Sequence, residues 1–383
     1  MSHPKFGLVL SGGGARAAYQ AGVLKGITEI VGDKMGDDPF QIITGISAGA
    51  INAAYLASAK NNFNEQVQSL IRIWEELTPE NVLRTDIASL GKLSAGWIKD
   101  LSFGGMFGRS ESTHLLDSTP LRDLLEESID FDQIEKNIIN NKLHGVAVST
   151  TSYATGTSVT FFDSPSVKAY ARSARIGLKG PLRLEHVLAS SAIPFIFRPV
   201  RIKNSFYGDG GIRSNAPLSP AIHLGADKLL AIGVRYFREE MEVKELNQQV
   251  EMNNIVLADI VGVLFNSLFL DAIEFDYERL QRINKTVSLL SEDALASHPG
   301  QLKKIPTLLI QPSVDLGELA GDQFHRFPKM LRYLLSGIGA TEARGADLLS
   351  YIAFDKAYTQ KLVEIGHKDA HNRAEEIREF FQL

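Results

Sequence analysis

Short apolar runs punctuated by glycine alternate with longer segments of helical spacing along most of this chain. Residues 6–10 (FGLVL) lead into three glycines. Residues 17–30 then carry Ala18, Ala21, Leu24 and Ile27 on related faces of a helix. A second apolar, β-branched run, Ile42, Ile43 and Thr44, enters a tight glycine-flanked turn and a stretch of small helix-compatible residues. Residues 63–77 place Val67, Leu70, Ile71 and Trp74 at helical spacing. Further strands are expected at 143–151, 158–162, 228–234 and 307–310, with short helices at 119–128 and 184–191. From residue 323 onward the pattern is helical, with apolar faces at 327–338 and 346–354 and a terminal helix at 375–383.

Several of the strands are continuous apolar runs, as expected of strands buried on both faces. The chain therefore predicts an α/β fold: a mostly parallel central sheet with helices on both faces and a helical C-terminal appendage. We expect one main α/β domain over 1–315 and a helical extension over 316–383 packed on it. Residues 255–270 (IVLADIVGVLFNSLFL) are strongly apolar but shorter than the ~20 residues of a spanning helix. Apolar helices usually bury, so a core helix is the favoured reading there, with a lipid-facing surface as the second.

Composition narrows the function classes. The 383 residues are 44% hydrophobic and 22% charged, in the range of soluble globular proteins. The net charge of −5, without a Lys/Arg cluster, argues against a nucleic-acid partner. There is no cysteine, which excludes a disulfide framework, a thiol nucleophile and a Cys-ligated metal. The N-terminal apolar run is too short for a signal-peptide core, so cytoplasmic residence is the default expectation, with peripheral membrane association or signal-independent secretion as variants.

Three stretches carry chemistry. The first is Gly45-Ile46-Ser47-Ala48-Gly49, between a strand and a helix. This is the G-x-S-x-G pattern that exposes a serine at the apex of a sharp turn. The plain alternative is a serine that caps a helix. The second is Gly12-Gly13-Gly14, directly before a helix, where consecutive backbone N–H groups can converge on an anion. A dinucleotide fingerprint would also need an acidic residue ending the next strand, and a phosphate loop would need Gly-Lys-Ser/Thr; neither is present. An oxyanion site needs only well-placed donors, and a glycine turn without a ligand is the alternative. The third is Asp209 between Gly208 and Gly210-Gly211. Late histidines that could serve as a base are His298, His325, His367 and His371. None follows a glycine-punctuated strand end, and His367 and His371 lie one turn apart in a polar helix that reads as a solvated face. Asp209 has the better setting for a base toward serine, and an ordinary aspartate in a tight turn is the alternative. All three stretches follow strands, and ligand sites in such sheets gather at strand ends.

In this order the three motifs resemble the patatin-like phospholipases, lipid acyl hydrolases with a Ser-Asp dyad. SGGGAR at 11–16, GISAG at 45–49 and DGG at 209–211 resemble the family's glycine loop, nucleophile elbow and base motif. HLLDSTPLRDLL, VAVSTTSYATGTSVTFF, VLASSAIPFIFRPV and NAPLSPAIHLGAD resemble family segments, and LLSYIAFDKAYTQKLVEIGHKDA resembles bacterial members. The family often has glycine where this chain has Ala17. The resemblance implies a three-layer sandwich with Ser47 as nucleophile and Asp209 as general base. It implies an oxyanion hole from Gly12, Gly13 and Gly14, with Gly45, Gly49, Gly210 and Gly211 shaping the two turns. No metal or cofactor is implied, and the implied partner is a lipid or phospholipid substrate. Arg16 is expected to orient the loop or meet an anionic head group, or to sit on the helix surface bonded to backbone carbonyls. Trp97, Phe103, Met106 and Phe107, in an irregular Gly/Ser-rich stretch, are proposed as a lid or acyl rim. Two other readings remain open: an esterase on non-lipid esters, and a non-catalytic lipid-binding or interaction protein on the same fold.

Overall fold

The computed structural model describes residues 4–86 and 113–382, apart from 173, 239, 250–253, 292, 294 and 296–301. Among the described residues ten strands form one sheet: β1 Phe6–Leu10, β2 Ile42–Ile46, β3 Gly145–Ser152, β4 Ser158–Asp163, β5 Tyr170–Arg172, β6 Arg175–Lys179, β7 Val200–Ile202, β8 Ser205–Asp209, β9 Lys228–Ile232 and β10 Thr307–Ile310. Its backbone is the parallel series β10-β9-β1-β2-β3, extended by β4-β6-β5 beyond β3. The pairs β3–β4, β3–β8, β5–β6 and β7–β8 are antiparallel.

The helices around the site, in chain order, are α1 Ala18–Val31, α2 Ala48–Ala57, α3 Phe63–Glu76, α4 Thr119–Ser128, α5 Leu184–Ser190, α6 Leu257–Phe269 and α7 Asp271–Ser288. The C-terminal region adds α8 Leu316–Gly321, α9 Ala346–Ile352, α10 Lys356–Asn372 and α11 Ala374–Phe381.

Alternate residues of the central strands enter two separate cores. Leu8, Ile43, Val146 and Leu230 join the larger one, with α1, α3 and the C-terminal helices. Val9, Ile42, Ala147 and Leu229 join the smaller one, against α7. This is why the strands read as unbroken apolar runs: both faces are covered. The C-terminal helices complete the larger layer. A Cβ on Gly22 would sit 2.0 Å from the Val363 carbonyl oxygen, and one on Gly366 would sit 2.2 Å from that of Tyr19. Only glycine lets α1 and α10 cross with their backbones in contact. At the end of the chain Phe380 and Phe381 pack on Phe6 of β1, with ring centroids 5.5 and 5.3 Å apart.

The core-helix expectation for residues 255–270 is corrected. One face of α6 buries Ala258, Gly262, Phe265 and Phe269. The opposite face exposes Leu257, Ile260, Val263, Leu264 and Leu268, with Val263 66% exposed. An apolar sequence around the whole helix hides which side meets solvent. No helix among the described residues is long and apolar enough to cross a membrane.

Candidate active site

The chain leaves β2 at Ile46 and begins α2 at Ala48, so Ser47 alone makes the turn, at φ 56° and ψ −131°. A serine in this region is strained and is held there only by its surroundings. Close packing supplies the hold. A Cβ on Gly49 would lie 2.3 Å from the Leu10 carbonyl oxygen, and one on Gly45 would lie 2.2 Å from that of Gly49. The Ser47 N–H donates to Ser190 Oγ at 2.9 Å, and the Ser190 hydroxyl donates to the Ser149 carbonyl at 2.6 Å. Ser190, at the end of α5, thus ties the elbow to β3. Sequence reasoning missed it, because one serine in the run Ser190-Ser191 carries no signal of its own.

Strand register brings Asp209 to this point. β2 ends with Ile46 opposite Ser149 of β3. β8 runs the other way and ends with Asp209 opposite Thr150. β4 occupies the other edge of β3 from Val146 to Thr151, so β2 and β8 share one edge and meet end to end. The Ser47 hydroxyl donates to Asp209 Oδ2 at 2.6 Å. The Gly211 N–H donates to Asp209 Oδ1 at 2.8 Å, and the Asp209 backbone is fixed by Ala192 and Thr151. Gly210 and Gly211 pack against the Ser149 backbone and the Phe269 ring. Asp209 is fully buried. Burial pushes its carboxyl up to about 7, against the opposing pull of the Ser47 and Gly211 hydrogen bonds. Such a carboxylate can exchange a proton with a hydroxyl near neutral pH.

The glycine loop lies across the elbow. A Cβ on Gly12 would come within 2.9 Å of Ser47 Cβ. Gly13 and Gly14 have φ of 152° and 59°, and a short 3-10 turn, Gly14–Ala17, then opens into α1. Ala17 is buried in that turn, and its carbonyl accepts from Asn52 Nδ2 at 3.2 Å, so the methyl group is accommodated. A buried network braces the loop from behind. The Gln20 amide donates to the Ser11 carbonyl at 2.8 Å, Asn52 donates to Gln20, and the Trp74 indole N–H donates to Asn52 at 2.9 Å. Gln20 and Asn52 are polar positions on otherwise apolar helix faces, the one trace they leave in the sequence.

Arg16 has neither a head-group setting nor the helix-surface one. Its guanidinium is buried, donating to Ser350 Oγ at 2.6 Å and to Asp347 Oδ1 at 2.9 Å, and stacks 5.2 Å from the Tyr351 ring centroid. It clamps the start of α1 to α9.

Beside Ser47 opens a narrow, mainly apolar cavity between α2, α3 and α4, lined by Ile51, Leu70, Trp74, Leu121, Leu125 and Phe197 among others. The helical face of α3 was legible in the sequence, but not that part of it borders a cavity. The proposed lid residues Trp97, Phe103, Met106 and Phe107 lie outside the described residues, as does His298. His325 sits in a short turn, Phe324–Arg326, and His367 and His371 contact Glu29.

A strained serine between strand and helix, bonded to a buried carboxylate and crossed by a glycine loop, defines a class of α/β protein with a serine elbow. The chain belongs to the patatin-like phospholipase family, whose model matches residues 8–222. It is 25% identical over 286 residues to a protein described as probable lipid hydrolase 463L of Invertebrate iridescent virus 6, covering 73% of this chain and 85% of the viral one. Among solved structures it is similar to human GIVD cytosolic phospholipase A2, at 12% identity and TM-score 0.41, over 99% of this chain and 60% of that one. It is also similar to VipD from Legionella pneumophila, at 14% identity and TM-score 0.34, over 95% of this chain and 67% of that one. The chain thus spans less than two thirds of the human protein's length.

Proposed function

We propose that this protein hydrolyses fatty-acyl esters of lipids, with Ser47 as nucleophile and Asp209 as general base. The observation that carries the reading is the 2.6 Å hydrogen bond from Ser47 to a fully buried carboxylate, beside an apolar cavity of acyl-chain character. Asp209 takes the Ser47 proton as Oγ bonds to the ester carbonyl carbon, and the carbonyl π pair moves onto oxygen. Backbone N–H groups of Gly12, Gly13 and Gly14 stabilise that oxyanion. Collapse breaks the ester C–O bond, and the leaving alcohol takes the proton from Asp209. Water then attacks the acyl-enzyme with Asp209 again accepting a proton, which releases the fatty acid and restores the serine hydroxyl.

The exposed apolar face of α6 gives the same reading a place for lipid contact. Its C-terminal end abuts the site: Phe269 packs on Gly211, and a Cβ on Gly13 would lie 3.6 Å from Leu270. We assign this face to the surface of a lipid aggregate.

The test is fluorophosphonate labelling of wild type, Ser47→Ala and Asp209→Asn. Wild type should label, Ser47→Ala should not, and Asp209→Asn should label about 10²–10⁴-fold more slowly. Equal labelling of wild type and Ser47→Ala would place the nucleophile elsewhere. An ester panel addresses the cavity. Leu125→Trp should depress turnover of long-chain esters far more than of acetyl esters; equal losses would remove the cavity from substrate binding.

A further inference from the structure

Glu29 near the end of α1 faces His367 and His371 of α10, and the three form a cluster outside the serine site. Both imidazole Nε2 atoms point at the same carboxylate oxygen, Glu29 Oε2, at 2.6 and 2.9 Å. One ligand atom from each residue lies within 4.8 Å of the other two. The two rings stand one helical turn apart, with centroids separated by 4.6 Å. Side-chain exposures of 33%, 44% and 42% for His367, His371 and Glu29 leave one side of the cluster open to solvent.

The chemistry of this donor set is that of a transition-metal site. Two histidines at i and i+4 on one helix face present two nitrogens to a common point. A carboxylate from a second helix supplies the third ligand, and water can take the fourth position. An ion about 2.1 Å from each donor holds neighbouring ligand atoms roughly 3.4 Å apart in tetrahedral geometry. The two nitrogen–oxygen separations, 2.6 and 2.9 Å, are shorter, and small rotations of the three partly exposed side chains reach that spacing. The backbones underneath are set by contact. A Cβ on Gly26, one turn before Glu29, would lie 2.5 Å from Ala370 Cβ and 3.0 Å from the His367 carbonyl oxygen. Two imidazole nitrogens and one carboxylate oxygen suit a nitrogen-seeking ion such as zinc, whereas calcium and magnesium take oxygen ligands.

We propose that Glu29, His367 and His371 bind one zinc ion and so pin the C-terminal helix α10 to α1, the helix that opens from the glycine loop. The site is independent of the proposed ester chemistry.

Full-length protein treated with chelator and desalted is titrated with zinc by calorimetry, and its thermal midpoint is recorded with and without the metal. We expect one equivalent bound and a midpoint raised by about 4 °C at a hundredfold excess over the dissociation constant. Glu29→Gln, His367→Gln and His371→Gln should each weaken binding at least tenfold. Their far-ultraviolet spectra and fluorophosphonate labelling should match wild type, which keeps a folding defect or a failure of the serine reading distinguishable. No binding by wild type would leave an ordinary ion pair only. Undiminished binding by the Glu29→Gln/His371→Gln double variant would place the metal elsewhere. Either result overturns the proposal.

Discussion

At Asp209 one residue carries opposing demands. The carboxylate that a base needs is the form that complete burial disfavours, and its folded value of about 7 stands above the ordinary 3.8. Between those values the folded chain keeps a proton that the unfolded chain releases. The ionised group therefore costs folding stability progressively as pH rises from about 4 to 7, and in full above 7. Asp209→Asn resembles the protonated acid and escapes that cost. We expect it to be more stable than wild type by roughly 2 kcal/mol at pH 8, with the advantage shrinking as pH falls below 7. Thermal unfolding of both forms at pH 5 and 8 decides this; a variant less stable at both would mean the ionised group is net stabilising. On the proposed mechanism the same titration sets activity: kcat/KM of wild type should rise about tenfold per pH unit below 7 and level off above it. The glycine-flanked turns at Ser47 and Asp209 were legible as residue patterns. The hydrogen bonds of Ser190, Gln20 and Asn52 were not, since each is a single polar side chain whose partners are distant in sequence.

Among the elements, α6 departs furthest from expectation. Helical periodicity identifies a buried face only when the other face is polar, and α6 is apolar nearly all round. Ile260, Val263 and Leu264 stand at 44–66% exposure on its outer side. If this face meets lipid, Val263→Asp with Leu268→Asp should strongly reduce flotation with phospholipid vesicles, while turnover of a soluble short-chain ester stays near wild type. Unchanged flotation would remove α6 from the lipid surface. The α1–α10 pair shows the reverse case: α1 was legible from its apolar face, α10 only as part of a polar helix around His367 and His371, and their contact from neither. Gly22 and Gly366 set that contact, and an isolated glycine inside a helix reads in sequence only as a weak propensity.

Across the whole molecule the C-terminal helices are bound to the sheet layer at several points. Arg16 reaches Ser350 and Asp347, the Tyr19 hydroxyl donates to Asp369 at 3.1 Å, and Phe380 and Phe381 close over Phe6. We propose that residues 316–383 are an extension on which the 1–315 unit depends. A 1–315 fragment would expose the glycine face of α1 and leave the Arg16 charge without its partners, a loss of several kcal/mol. It should lack the cooperative thermal transition of the full chain; an equal midpoint would make the extension dispensable.

The α/β alternation, the two-sided burial of the sheet and the three glycine-marked turns can be read from the chain alone, because each is written in local spacing and backbone permissiveness. What those turns do together is set by packing between distant segments. The end-to-end meeting of β2 and β8 along β3 depends on strand register between segments 162 residues apart, and so does the hydrogen bond from Ser47 to Asp209. The burial that raises the Asp209 carboxyl, the turning of Arg16 toward α9, the convergence of Glu29 with two histidines and the outward face of α6 have the same origin. Each depends on which surfaces pack against one another, and local pattern does not contain that information.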